Sequence, residues 1–527
     1  MIDRRRLVTP PQHLDVLFEP AGSTVRRALC AAPPTPSREA PLASVPVAAL
    51  RATLRARLGL RGPVVVTGHQ AELFHAGVFA KCIAAALLAE RVDGTALFAL
   101  VDSDTPKTRF AWTPRHTADQ WVRHRVPLPG IETGLPMELQ PGAPASAWRA
   151  CFDELVCHSA APASALWDAF AGGWLQAGEA ARDGRLDFVD SFGSALRASE
   201  RALGLTPPQQ VRVSALARMP EFTAFALHLM RNAEAVAGAY NAAQARYRQR
   251  HRIRHPQRPV PPLGVNAERI ESPFWVLTNE RRRERLWVGR DADALVCFAG
   301  ESAREPWLRI AGEARGDDSA AALGVPPPGA IEAIARLRPR ALTLTAILRL
   351  LVADLFIHGI GGAKYDEITD EFGAELFGAA PAPIACVTAT LHLPLEVAVA
   401  DADGIAEARR RIRDLRFNPQ RYVATAPREL VAARAAAIAR ADRLRRDSPG
   451  DRGARRAAWE EIRRLNAEIA AGAGSVAAAL ERGSKAAAAD AARARVAYDR
   501  EYCFALHPLE SVAALVRRIG AAIESPA

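Results

Sequence analysis

Lysine is almost missing from this chain. Of 69 Lys and Arg side chains, only four are lysines: Lys81, Lys107, Lys364 and Lys485. Arginine is always charged and bidentate, whereas lysine is a compact charge with a tunable pKa. Three of the four lysines fall in the motif stretches described below, as expected of sites that need an ammonium for phosphate or carboxylate. Cysteine is sparse as well. Cys30, Cys82, Cys151, Cys157, Cys297, Cys386 and Cys503 are scattered, odd in number and free of any CxxC. That argues against a disulfide framework or a zinc ribbon and fits a reducing cytoplasm. Aromatic residues make up only 6%. No basic patch interleaves with them for base stacking, so nucleic acid is not an expected partner despite the net charge of +11. No uncharged apolar run is long enough for a membrane span. The Ala341–Ile357 segment is interrupted by Arg349 and Asp354 and reads as one buried helix ending at His358-Gly359. Met1 to His13 carries charge with no apolar stretch behind it, so no secretory signal is expected.

What is present is a globular composition, 49% hydrophobic over 527 residues, enough for two to four domains. The chain is organised around Pro63 to Lys107. Val64, Val65 and Val66 form a β-branched run suited to a buried strand that Gly68 ends. Phe74, Val78, Cys82, Ala85 and Ala89 follow with helical spacing, and a second apolar run, Ala96 to Val101, closes on Asp102-Ser103-Asp104. This is β-α-β, the unit of a parallel sheet. Ligands of open α/β sheets sit outside the carboxyl ends of the strands. Thr67, Gly68, His69 and Gln70 are therefore expected to face one crevice with Asp102 and Asp104. His69 and Gln70, read as lying at a helix N-terminus, suit an anion site. His75 reads as a structural residue one turn into the helix. Asp102 and Asp104 suit a divalent cation, a ribose or an ammonium, with Lys107 close behind.

A second stretch runs from His358 to Glu367. Gly359, Gly361 and Gly362 allow close approach and positive φ, which would form a nest for phosphate or carboxylate, with Lys364 adding charge. Tyr365 and Glu367 open the helix that follows. Elsewhere, Arg109–Leu128 reads as strand or loop, Ala145–Leu205 and Pro220–Arg248 as mostly helix, and Phe274–Leu277 with Arg285–Val288 as a hairpin. Arg248 to Arg258 reads as a solvated basic helix end, and Pro383–Val399 as one or two strands. Beyond Arg428 the chain becomes long Ala/Arg/Glu-rich helix, with a turn at Ser448-Pro449-Gly450-Asp451. Ile462, Ile469 and Val476 recur every seven residues, the pattern of a short coiled coil.

At these residues the chain resembles the bacillithiol biosynthesis cysteine-adding enzyme family, the cysteine ligases. Thr67-Gly68-His69-Gln70-Ala71-Glu72-Leu73-Phe74 is similar to that family's TGQQxGLF-type stretch, and Asp102-Ser103-Asp104 stands where the family has a DHD-type motif. Ala239-Tyr240-Asn241-Ala242 with Tyr247-Arg248 looks like a family helix. Gly361-Gly362 with Tyr365 and Glu367 stands in place of a GGPGExxY-type loop, and Ala505-Leu506-His507-Pro508 in place of an LFP-type ending. His69 replaces a Gln, Ser103 a His, and the Ile360–Lys364 stretch lacks the family's Pro.

The resemblance implies an α/β protein with a Rossmann-like, nucleotidyltransferase-type core, helical connecting-peptide insertions and a C-terminal coiled coil that forms a homodimer. The divisions expected are 1–210 and 331–426 for the core, 211–330 for the insertion, 427–502 for the coiled-coil arm and 503–527 for a closing helix. The implied reaction is amide formation between an amino acid and a small, amino sugar-like amine. In this reading His69, His358 and Lys364 are catalytic. Thr67, Gly68, Gln70, Asp102, Asp104, Lys107, Gly361, Gly362, Tyr365 and Glu367 bind substrate or cofactor. Use of ATP or another nucleotide is left open by the sequence. The alternatives are a divalent-metal-dependent nucleotidyl or glycosyl transferase built on the DxD pair, and a non-catalytic dimeric nucleotide-binding protein.

Overall fold

In a computed structural model of the chain, residues 2–31, 41–42, 45–117, 121–157, 164–177, 185–255, 258–311, 328–378, 380–395, 402–423, 426–472 and 474–525 are described. The chain divides into two units. One comprises Met1–Thr113, His124–Leu393 and Arg500–Ala527, the other Pro114–Arg123 and Pro394–Asp499.

The first unit is an α/β structure on a six-stranded sheet. In chain order its strands are β1 (Val16–Glu19), β2 (Val64–Gln70), β3 (Thr95–Val101), β4 (Gln209–Arg212), β5 (Leu355–His358) and β6 (Ile384–Ala389). Across the sheet they run β1-β6-β5-β2-β3-β4. All neighbours are parallel except β1, which pairs antiparallel with β6. From β2 the chain first builds outward through β3 to β4, then returns to build β5 and β6 on the other side. The direction of winding therefore reverses between β2 and β5. The expected β-α-β unit is present: helix α1 (Ala76–Arg91) joins β2 to β3. Val64, Val65, Val66, Leu97 and Phe98 are buried completely.

Three local expectations are corrected. Gly68 does not end β2, which continues through His69 and Gln70, paired with Leu100 and Val101. A Cβ at Gly68 would lie 2.7 Å from the Ala99 carbonyl oxygen, so glycine is needed there for strand approach. His75 is the N-cap of α1 rather than a residue inside it: its Nδ1 accepts from the Gly77 N–H at 3.0 Å. The 341–357 run is not one helix. Helix α2 (Ala341–Leu351) stops, and β5 begins at Leu355.

The two charges in that run are held in place. Arg349 bonds Asp366 at 2.8 Å and the Ala382 carbonyl at 2.7 Å. Asp354 takes Arg51 at 2.5 Å, Arg55 at 3.1 Å and the backbone N–H of Val64 at 2.7 Å. It thereby ties the start of β2 to the start of β5. Glu200 of helix Phe188–Ala202 is also buried, and neither of its carboxylate oxygens has a hydrogen-bond partner among the described residues.

A second, five-stranded antiparallel sheet contains the expected hairpin, as Ile270–Leu277 paired with Arg283–Asp291, together with Ala294–Ala299, Leu308–Ile310 and Leu337–Pro339. Helices Pro220–Arg231 and Ala233–Arg250 precede it. Strands Phe110–His116 and Trp121–Pro127 form a two-stranded sheet where the sequence left strand and loop open. Of the 383–399 stretch β6 is strand, and 396–400 lies outside the described residues, as do 32–40 and 256–257.

The second unit is helical: Ala402–Phe417, Arg428–Asp447, Arg452–Ala471 and Gly474–Ala497, with the expected turn at 448–451. Its core holds Leu415, Val423 and Ile469, against which Val476 and Leu480 pack. Much of the seven-residue apolar stripe is thus used inside the unit. No helix among the described residues is long and apolar enough to cross a membrane. Cys30, Cys82, Cys151, Cys297, Cys386 and Cys503 are free thiols.

Candidate functional site

The carboxyl ends of β2, β3 and β5 meet where the winding reverses, the place where open α/β sheets hold ligands. The expected residues divide there into those already spent on structure and those still available. Thr67 is buried and donates to the Ile357 carbonyl at 2.9 Å, stitching β2 to β5. Asp102 is fully buried. Arg212 bonds it at 2.9 Å, the Ser214 backbone N–H at 2.9 Å, and the Ser214 hydroxyl bonds it too. A metal or ammonium would have to displace that set. Asp104 is more open: Gln70 donates to one oxygen at 2.9 Å and Arg283 to the other at 2.9 Å. Lys107 reaches Gln70 Oε1 at 3.4 Å and Glu72 at 3.6 Å. No group of three or more His, Cys, Asp or Glu among the described residues could hold a metal ion.

The second stretch is helix, not a glycine nest. Gly359 is the N-cap of α3 (Ile360–Tyr365), and α4 (Glu367–Phe377) follows at once. Gly361 and Gly362 lie inside α3, and neither has positive φ. Gly362 is required for another reason. A Cβ there would run into the His358 ring at Nδ1. His358, at the end of β5, gives its Nε2 to Asp366 at 2.9 Å, and Arg349 holds the same carboxylate oxygen. Burial alone would raise the Asp366 carboxyl, but Arg349 and His358 outweigh it and keep it below its ordinary value. Gly362→Ala should therefore cost about 1–3 kcal/mol, the usual penalty of overpacking. Urea unfolding checks this, and an unchanged midpoint would mean that the ring moves aside freely.

Glu367 is spent on ion pairs, bonded by Arg250 and by His251 at 2.8 Å, with Glu371 also on Arg250. The basic helix end at 248–251 is thus ion-paired. Lys364 offers its backbone carbonyl to Tyr247 at 2.7 Å. Tyr365 links the two stretches: burial first, then the negative charges of Asp366 and Asp104, push its hydroxyl up to about 12.

One residue outside the expected set stands at the reversal point. Lys81, on α1, is buried, and its Nζ donates to the Gly68 carbonyl at 2.8 Å. Its aliphatic stem lies 4.0 Å from where a Cβ on Gly359 would sit. No carboxylate pairs with it among the described residues. Burial, helped by the Lys107 charge, pulls the Lys81 ammonium down to about 8. The scarcity of lysine pointed to it, but only the fold brings it between the ends of β2 and β5. Arg212 and Arg283, which hold the two aspartates, carried no signal among the chain's many arginines.

His69 lies beside a cavity of about 230 Å³ whose lining includes Glu72, Phe74, Lys107, Trp112, Phe188 and Glu501. It is not at a helix N-terminus, because six residues separate it from the first turn of α1. Burial, then the charges of Lys81 and Lys107, hold its imidazole well below 6.5, so it is neutral at pH 7. Its Nδ1 meets the Gln70 carbonyl at 3.1 Å, and the edge of its ring packs against Phe74. A neutral ring whose N–H is already engaged suits an acceptor better than an anion site. Compared with known proteins, the chain matches no family model and no curated sequence.

Proposed function

We propose that the chain is an amide-forming ligase of the cysteine-adding type, joining an amino acid to a small, amino sugar-like amine at the carboxyl ends of β2, β3 and β5. The observation that carries this reading is Lys81. A buried ammonium with no carboxylate beside it, at the crevice of a doubly wound sheet, is a place for a substrate carboxylate or phosphate. Support comes from the order β4-β3-β2-β5-β6, which is compatible with a Rossmann-like core, and from the motif resemblance at Thr67–Phe74 and at Asp102–Asp104.

In this reading Lys81 binds and polarises the acyl group or its activated form. Gln70 and Asp104, joined by their hydrogen bond, and Tyr365, which senses the Asp104 charge, bind substrate. His358 acts from behind, its ring fixed by Asp366 and Gly362. Homodimerisation through helices Arg428–Asp447 and Arg452–Ala471 belongs to the same proposal, and Trp459, 51% exposed on the second of them, supports it.

The test is amide formation, followed by mass spectrometry, from L-cysteine and other amino acids with amino sugars, with and without ATP. Lys81→Met should fold, since Met is similar in size, and should lower turnover roughly a hundredfold or more, the scale of one lost electrostatic stabiliser. In the wild type, apparent substrate affinity should fall as the pH rises through about 8, where Lys81 loses its charge. Turnover that survives Lys81→Met would reject the assignment.

A further inference from the structure

The cavity beside His69 is lined by hydrogen-bond acceptors with no donor among the described residues. Glu72 Oε1 is buried and has no partner among the described residues, while Oε2 of the same carboxylate is 3.6 Å from Lys107. The second acceptor follows from the tautomer of His69. The Gln70 carbonyl can only accept, so the hydrogen of the neutral ring sits on Nδ1. Nε2 is then left with a lone pair and no partner among the described residues. A buried acceptor without a donor, as Glu72 Oε1 is, is rare in native proteins and is expected to find a partner in a ligand.

The charges agree. Two carboxylates, Glu72 and Glu501, and one ammonium, Lys107, line the cavity. The walls are apolar and aromatic: Phe74, Phe110, Trp112 and Phe188. The volume, about 230 Å³, lies below the roughly 300–1,000 Å³ of pockets for drug-sized ligands. It suits a single amino acid or amino sugar.

We propose that this cavity binds the primary ammonium group of a small substrate, with Glu72 Oε1 and His69 Nε2 as its acceptors. The proposal builds on the ligase reading, whose amino acid or amine would bring that ammonium. Both sources carry the same head group, and Lys107 separates them, because only an amino acid offers it a carboxylate.

Isothermal titration with glucosamine, N-acetylglucosamine, L-cysteine, L-serine and N-acetyl-L-cysteine tests it. The free amines should bind, and their N-acetyl forms roughly tenfold or more weakly, the usual loss when a charged hydrogen bond goes. Glu72→Gln should weaken the free amines by a similar factor while leaving the melting temperature of the unliganded protein unchanged. Lys107→Ala should weaken amino acids only. Binding of glucosamine alone, or of amino acids alone, identifies the source and supports the proposal either way. Equal binding of acetylated and free amines overturns it, as does wild-type binding by Glu72→Gln or no binding of any free amine in the millimolar range. Binding without amide formation would remove the ligase reading and leave this one standing. Amide formation undiminished by Glu72→Gln would do the reverse.

Discussion

Asp354→Ala should destabilise the protein by about 3–5 kcal/mol, the usual loss when one partner of a buried ion pair is removed. The carboxylate does three things at once. It neutralises Arg51, supports Arg55, and accepts from the first N–H of β2. Without it, Arg51 keeps only the Leu350 and Ala353 carbonyls, at 3.0 and 2.8 Å. Burial already lowers the pKa of that guanidinium, and Asp354 is its principal counterweight. Asp354→Asn should lose less, because an amide oxygen still accepts from Val64. Urea unfolding at unchanged m-value measures both variants. A loss below about 1 kcal/mol would mean that water reaches the site and takes over the two guanidiniums. Replacing Arg51 and Asp354 together by Met and Leu should recover much of the loss, since a well-packed apolar pair avoids the desolvation cost.

Glu200→Gln should act the other way and raise stability, by more as the pH rises. Burial holds the Glu200 carboxyl well above 4.5, with Arg197 and Arg201 only partly opposing it. Below pH 4.5 both folded and unfolded chains carry the proton, and the group does not distinguish them. Above it the unfolded chain releases the proton while the native one retains it. Native stability then falls by about 1.4 kcal/mol per pH unit for as long as the native carboxyl stays protonated. Glutamine cannot ionise, so this slope should vanish in the variant. Unfolding midpoints between pH 5 and 8 measure the difference. A variant that tracks the wild type across that range would mean that Glu200 ionises in place.

The β-α-β unit was legible because its signals are local. The Val64–Val66 run, the helical spacing after it and the Ala96–Val101 run each carry their own period, and the switch-point rule then located the crevice. Strand β5 was not legible. Both faces of α2 and β5 are buried, so no polar period separates helix from strand in that run, and length alone favoured one helix. The break falls at Val352–Asp354, where partners distant in sequence take the Asp354 carboxylate. The Gly361-Gly362 pair misled in a related way. Glycine signals positive φ or close approach, and here Gly362 serves the approach of the His358 ring. Asp102 looked like a ligand because nothing in its neighbourhood reveals Arg212 and Ser214, which reach it from more than a hundred residues away.

The pairing of β2 with β5 has a consequence for how the chain is made. Val64 and Asp354 are 290 residues apart. At a synthesis rate of roughly 5–20 residues per second, β2 waits about 15–60 s for the strand that covers its second edge. For that interval the growing protein carries an unpaired, β-branched edge, already ordered by β3 on its other side and open to strands from other chains. Assembly of the sheet closes late and over a long loop, which slows folding. The edge of β2 is therefore where a chaperone would be most useful, and where crowding of nascent chains would do the most harm.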